Sequence, residues 1–315
     1  MGNLIVKEDL AVNVSSLISA FLSGRKATTI NAYKQDLTDF ANYVKATDIN
    51  EAASRLFNLS QGEANLLVLQ FKNYLVTEKQ LSSATVNRRL AAIRSLSQLA
   101  RTLGIVSWSL EIENQKNQAY RDTRGIGIEA VNKIISYLKS KNDHKSIRDL
   151  AILRLLFDLG LRRNEVCTID IEDISISNST INILSKGKTQ KECLNLPAST
   201  LEAIQNWINI RSNSTDALFY RLDKASSSNL KRLTGSGLYV IITELGAKLG
   251  LHNLSVHKFR HSAITACCEV IKDHNLGLET LVKFSRHSSL NTALLYMDHL
   301  ENKQKTLSDL VSKKV

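Results

Sequence analysis

Apolar residues along this chain recur with two rhythms, a helical one and an alternating one. Residues 1–12 read as an irregular lead-in, and Val14 to Leu22 then carries apolar positions at helical spacing, closed by Gly24. Thr28 or Thr29 caps a second helix. Its Ile30, Tyr33, Leu37, Phe40 and Val44 are alternately three and four apart, which makes one continuous apolar stripe. A third helix starts at Ser60, where Glu63 completes an S-x-x-E capping box, and runs through Leu67, Phe71 and Leu75. A fourth starts at Ser82 or Ser83 and stops at Gly104, with Val86, Leu90, Ile93 and Leu96 on one face. Residues 106–125 lose the period and become polar, which reads as an interdomain linker.

The helical rhythm resumes over Ile128 to Lys139 and again over Ser146 to Asp158, the latter with Leu150, Leu153, Leu156 and Phe157 as its buried side. TIDIEDISIS and STINILSKGKTQKECLNLP then alternate apolar and polar residues around Gly187, the pattern of a meander of three short strands. Helices follow at Leu201–Arg211, at Ser236–Leu249 and after Ser255, a candidate N-cap. The pattern as a whole predicts a mainly α protein with a small antiparallel β-sheet. It divides into an N-terminal domain (1–105), a linker (106–125) and a C-terminal domain (126–315).

Composition narrows the class. A hydrophobic share of 43% and a charged share of 23% are those of a globular protein, and a single proline, Pro197, suits a helix-rich chain. Lys and Arg number 41 against 30 Asp and Glu, giving a net charge of +11. The excess is spread along the chain rather than gathered in a tail, as in proteins that embrace a polyanion. Cys167, Cys193, Cys267 and Cys268 show neither C-x-x-C pairing nor zinc spacing, so they read as reduced, mostly buried thiols of a cytosolic protein. The N-terminus lacks the apolar core of a signal peptide, and no run approaches the length of a membrane span.

The candidate chemistry lies near the C-terminus. His257 and Arg260 are three apart in a helical segment and project from one face; His287 follows in RHSSL, and Tyr296 comes nine residues after it. A guanidinium grips phosphate oxygens in a fork, an imidazole donates a hydrogen bond or passes a proton, and a tyrosine beside them becomes a candidate nucleophile. Taken singly, each of these residues is an ordinary surface, capping or core residue; their order and spacing make them a set. That set resembles the C-terminal signature of the tyrosine recombinases, the phage-integrase and Xer-type family, whose motifs run H-x-L-R-H, then L-G-H-s-s, then Tyr.

The resemblance implies an arginine and a lysine upstream, and the sequence supplies both. DLGLRRNEV matches the family's first motif, with Gly160 at the turn, Arg162 as the first catalytic arginine and Glu165 at the acidic position. Arg163 is adjacent, so the choice of arginine rests on the alignment of GLR. SKGKTQKECLNLP is similar to the family's hairpin and makes Lys186 the catalytic lysine, where K-G-K alone would be a surface turn. Further upstream, Ala27 to Phe40 followed by TVNRRL resembles the family's four-helix, SAM-like core-binding domain. The polar side of that last helix offers Asn87, Arg88 and Arg94 as DNA-binding candidates, with small residues between them to admit a groove. The resemblance runs from about Val14 to Leu300. It departs from the family at Arg286 (usually Gly), Phe259 (commonly Leu) and Ser185 (usually Gly).

The resemblance also carries expectations. The fold would be a two-domain, C-shaped DNA clamp, a helical core-binding domain plus a catalytic domain. The activity would be site-specific recombination for integration, excision or resolution of DNA elements, through a covalent 3′-phosphotyrosine and a Holliday junction. Arg162, Arg260 and His287 would neutralise the phosphate, Tyr296 would attack, His257 would take the phenol proton, and Lys186 would protonate the leaving 5′ oxygen. No ATP or metal cofactor is implied, and the chain carries neither a phosphate-binding glycine loop nor a carboxylate cluster. The partners would be double-stranded DNA with inverted repeats, three further copies in a homotetramer joined through the C-terminal segment, and accessory DNA-binding proteins, with no membrane. The setting would be cytoplasmic and nucleoid-associated, in a prokaryote or a phage, plasmid or transposon. A type IB topoisomerase shares the tyrosine chemistry, and a non-catalytic DNA-binding regulator shares the clamp.

Overall fold

Side-chain caps set where most helices of the N-terminal unit begin. Asn13 accepts the Ser16 N–H at the head of α1 (Val14–Leu22), and α2 spans Ala27–Tyr43. Asp48 accepts the Glu51 N–H to start α3 (Ile49–Phe57); Ser60 and Glu63 form the expected capping box of α4 (Gln61–Thr77). Ser82 caps α5 (Ser83–Thr102). Each such cap satisfies an amide that the first helical turn leaves without a partner. The computed structural model describes residues 13–25, 27–116, 125–185, 188–222, 230–286, 294, 296, 308 and 311–313. The chain divides into two compact units, Met1–Tyr120 and Arg121–Val315.

Five helices, rather than the expected four, are described in the first unit. The extra one, α3, is short, and two of its four buried residues are alanines (Ala52 and Ala53, with Leu56 and Phe57), so its apolar stripe is faint in the sequence. The core joins Leu17, Phe40, Leu56, Phe71, Leu90 and Ile93, all within a few per cent of full burial. Phe71 meets Phe40 edge-on at 5.2 Å and Tyr43 at 5.1 Å, geometries that suit aromatic quadrupoles.

The polar stretch after α5 does not begin as a free linker. Residues 106–116 form a strap on the N-terminal unit: Val106 and Ile112 are buried in its core. Trp108 Nε1 donates to the Leu59 carbonyl at 3.0 Å, the Glu111 N–H to Asn65 Oδ1 at 2.9 Å, and Lys72 Nζ to the Glu113 carbonyl at 2.9 Å. Backbone groups of an irregular segment need partners when it is covered, and here side chains of α4 provide them.

In the second unit α6 (Ile128–Lys141) and α7 (His144–Asp158) come first. Instead of a single buried stripe, α7 has Ala151, Ile152, Leu153, Leu155 and Leu156 all at 1% exposure or less. It is wrapped by neighbours, packing against α6, the short α8 (Arg163–Cys167), α9 (Ala198–Ile210) and α11 (Val256–Asp273). A helix buried on more than one side is a core helix, and here the buried polar pair Arg148 and Asp149 satisfy each other. The three-stranded antiparallel meander is β1 (Ile174–Ser175), β2 (Thr180–Ile183) and β3 (Glu192–Asn195), in register with Ile174 opposite Ile181 and Ile181 opposite Leu194. Ile181 and Ile183 point into the core and Asn182 points out, the period of a half-buried strand. The same unit also holds α10 (Gly235–Leu249) and α12 (Leu278–Ser285).

Candidate active site

The turn that ends α7 begins the site. Gly160 adopts φ +55°, and a Cβ there would come within 3.2 Å of the Phe284 ring, so both backbone and space favour glycine. The chain then delivers Arg162 to the head of α8. There the Glu165 carboxylate accepts the Arg162 N–H at 2.8 Å and, through its other oxygen, Arg162 Nη1 at 2.8 Å. On α11, Ser255 caps the helix by accepting the Lys258 N–H, and His257, Arg260 and His261 occupy its first turns.

Arg162 and Arg260 converge on the end of α12. Arg162 Nη2 donates to the Arg286 carbonyl at 2.8 Å, and Arg260 donates to the preceding carbonyl, that of Ser285, and to that of Gly160. Arg286 reaches back the other way. Its Nη1 donates to the Leu159 and Phe284 carbonyls, and its Nη2 to the Gly160 carbonyl, each at 3.1 Å; Nη2 also meets Glu165 Oε2 at 3.2 Å. Two guanidiniums, those of Arg162 and Arg286, therefore share one carboxylate that is 2% exposed, while Arg260 sits on the adjoining carbonyls.

The electrostatics follow from that count. Burial, with the charges of Arg162 and Arg286 added, pushes Arg260 down to about 9, while Glu165 and Tyr296 oppose the shift. Burial likewise lowers Arg286 against the pull of Glu165. For Glu165 burial alone acts upward, but the Arg162 N–H and the Arg286 and Arg162 charges outweigh it and hold the carboxyl below its ordinary value. A cluster with more fixed positive than negative charge, partly out of water, attracts an anion such as a phosphodiester.

Tyr296 is 4% exposed and packs with Ile264, Cys268, Ile271 and Leu281. Its hydroxyl lies 2.5 Å from His261 Nδ1. His261 is the second histidine of H-K-F-R-H, and its ring centroid stands 6.5 Å from that of His257. His261 is not among the six residues that the family resemblance assigns, although four residues from His257 on a helix places both on one side. Lys186 and His287 lie outside the described residues.

Asn87, Arg88 and Arg94 are placed with their polar ends on their own unit. Asn87 exchanges two hydrogen bonds with the Gln115 backbone, 2.7 Å to N and 3.0 Å to O. Arg94 donates to the Ile112 carbonyl at 2.8 Å and to Asn114 Oδ1 at 2.7 Å. Arg88 pairs at 2.5 Å with the fully buried Asp36, with its own side chain 46% exposed.

The convergent guanidiniums and a phenol held by an imidazole define a centre suited to displacement at a phosphodiester. The phage integrase family model matches residues 127–303. The tyrosine recombinase slr0733 of Synechocystis sp. is 33% identical over 293 residues, covering 91% of each chain. XerC of Corynebacterium glutamicum is 27% identical over 288 residues, covering 89% of this chain and 84% of that one. Among solved structures, the fold is similar to that of the XerH site-specific recombinase bound to a palindromic difH substrate, with a TM-score of 0.67 and 21% identity over 96% of this chain and 86% of the other. It is also similar to the Tn1549 transposon integrase in complex with a circular intermediate DNA, with a TM-score of 0.66 and 13% identity over 91% and 95%. The chain belongs to the phage integrase family and is a tyrosine recombinase. Among the described residues, no helix is long and apolar enough to cross a membrane.

Proposed function

We propose that this recombinase cuts and rejoins double-stranded DNA at a site built from inverted repeats, through the six residues Arg162, Lys186, His257, Arg260, His287 and Tyr296. The Tyr296 oxygen attacks the scissile phosphorus, the P–O5′ bond breaks, and Lys186 protonates the departing 5′ oxygen. Arg162, Arg260 and His287 meet the charge that grows on the non-bridging oxygens. The phenol proton passes to the histidine pair of α11; the 2.5 Å contact of Tyr296 with His261 supports a share for His261 beside His257. The product is a 3′-phosphotyrosine, which retains the bond's free energy, and the partner strand's 5′ hydroxyl reverses the step.

The observation that carries this reading is the meeting of Arg162 and Arg260, from separate elements, on the consecutive carbonyls of Arg286 and Ser285. A suicide substrate nicked beside the cleavage point tests it. Wild-type protein is expected to be trapped covalently on DNA, and Tyr296→Phe to bind without an adduct; an adduct in that variant would assign the nucleophile elsewhere.

On this reading the working assembly is a homotetramer on DNA in the bacterial cytoplasm, directed in some settings by accessory proteins. Leu300, Leu307, Leu310 and Val311 of one protomer anchor its C-terminal segment on the next. Truncation after Thr306 is expected to abolish strand exchange while sparing DNA binding.

A further inference from the structure

Arg286 holds a backbone conformation that its side chain does not favour. It caps α12 in the left-handed region, φ 51° and ψ 39°, where glycine sits without strain and a long side chain is unusual. The guanidinium at this position is 8% exposed. Its Nη1 and Nη2 are occupied by the Leu159, Gly160 and Phe284 carbonyls and Glu165. Its Nε lies 3.6 Å from Glu192 of β3, close enough for ion pairing and too far for a hydrogen bond. So oriented, its terminal nitrogens rest on protein acceptors at the α7 turn, at the end of α12 and on Glu165.

The contacts run in both directions between the same two turns. Arg162 and Arg260 grip the carbonyls at the end of α12, and Arg286 grips those at the end of α7 together with the carboxylate that orients Arg162. We propose that Arg286 is a positioning residue for strand cleavage, a cross-brace that acts through Glu165 and the Leu159–Gly160 turn to hold Arg162 and Arg260 on a common target. The inference rests on the recombinase reading of the same site. It assigns the departure of this chain at Arg286 a role in rate rather than in DNA affinity. The carboxylate shared between Arg162 and Arg286 couples the two, because without Arg286 Glu165 is held by Arg162 alone and is freer to move with it.

The test uses the full chain and Arg286→Gly, which relieves the left-handed strain and so is expected to fold, alongside Arg286→Lys, which keeps the charge but not the fork. Single-turnover cleavage of the nicked substrate is expected to fall about 10–100-fold in Arg286→Gly, the usual cost of small misplacements at a reacting centre, with DNA affinity unchanged. Arg286→Lys should recover only part of the rate, since one ammonium cannot span the carboxylate and three carbonyls. In a cycle with Glu165→Gln, the double variant should cleave no more slowly than the slower single one. Wild-type rates in either Arg286 variant overturn the proposal. A loss of affinity that parallels the loss of rate also overturns it and makes Arg286 a DNA ligand; strictly multiplicative losses in the cycle break its link to Glu165. Absence of an adduct in the wild-type protein would instead sink the recombinase reading, so the two failures are separable.

Discussion

The Tyr296 hydroxyl is held 2.5 Å from His261 Nδ1, with the two rings tilted by 33° at a centroid separation of 5.5 Å. The rest of the phenol is sealed among apolar side chains of α11 and α12. Whichever of the two atoms donates, each satisfies a polar group that water does not reach freely. His261→Ala is expected to destabilise the chain by about 1–3 kcal/mol, because a buried hydroxyl then loses one hydrogen bond. The Tyr296→Phe/His261→Ala double variant should show a coupling of about 0.5–3 kcal/mol in denaturant unfolding. Additive losses would mean that the bond does not form in solution.

The surplus of positive charge at Arg162, Arg260 and Arg286 predicts an anion-dependent stability. Inorganic phosphate or sulfate should raise the melting temperature, by the equivalent of about 2.7 kcal/mol at a hundredfold excess over Kd. Arg162→Ala or Arg260→Ala should remove most of that shift and slow cleavage by about 10²–10³-fold, as when one donor to a developing oxyanion is lost. An unchanged anion response in both variants would place the binding elsewhere on this basic chain.

Part of the candidate site could be read from residue order: GLRRNE and HKFRH carry Arg162 and Arg260, which meet on the end of α12, whereas KGK and RHSS carry Lys186 and His287, outside the described residues. Helices with long stripes were equally legible; the capping box at Ser60 and Glu63 marked the start of α4 to the residue. What stayed hidden depends on contacts with backbone, which leave no trace in residue types. Asn87 looks like a groove reader from its helix face, yet its partner is the main chain of Gln115, 28 residues on. The direction of Arg286 is set by a left-handed φ and by carbonyls some 125 residues away in sequence, from Leu159 at 127 to Gly160 at 126. The strap over residues 106–116 reads as linker because its burial is confined to a few residues such as Val106 and Ile112.

Glu165 sets the behaviour in acid. Its folded pKa lies below the ordinary glutamate value of 4.5, so its contribution to stability is fully present above that pH. The contribution is lost as pH falls through the lowered folded value, because the unfolded state then binds the proton more readily. Glu165→Gln should therefore be less stable at neutral pH and show a shallower decline than wild type below about pH 4.5. Parallel decline in the two proteins would mean that the Arg162 and Arg286 contacts do not bias its ionisation.

Asn87, Arg94 and Arg88 separate two roles that one helix face can play. Asn87 and Arg94 hold the strap at Gln115, Ile112 and Asn114, whereas Arg88 leaves nearly half its side chain in solvent beside Asp36. Asn87→Ala should cost about 0.5–1.5 kcal/mol and speed hydrogen exchange at the Gln115 amide, the group it now protects. The salt dependence of DNA affinity should be unchanged in that variant, since an uncharged side chain displaces no counterion. Arg88→Ala should lower the slope of log affinity against log salt by about 0.9, the share of one phosphate contact. Its removal also leaves Asp36 more dependent on Arg89, whose Nε stands 3.8 Å away. Burial already pushes the Asp36 carboxyl up against the pull of the two arginines, so the loss should push it further and make the N-terminal unit less stable at neutral pH. If Asn87→Ala instead weakens binding to a specific site while Gln115 stays protected, the asparagine reads bases and the strap is held by Arg94 and its neighbours.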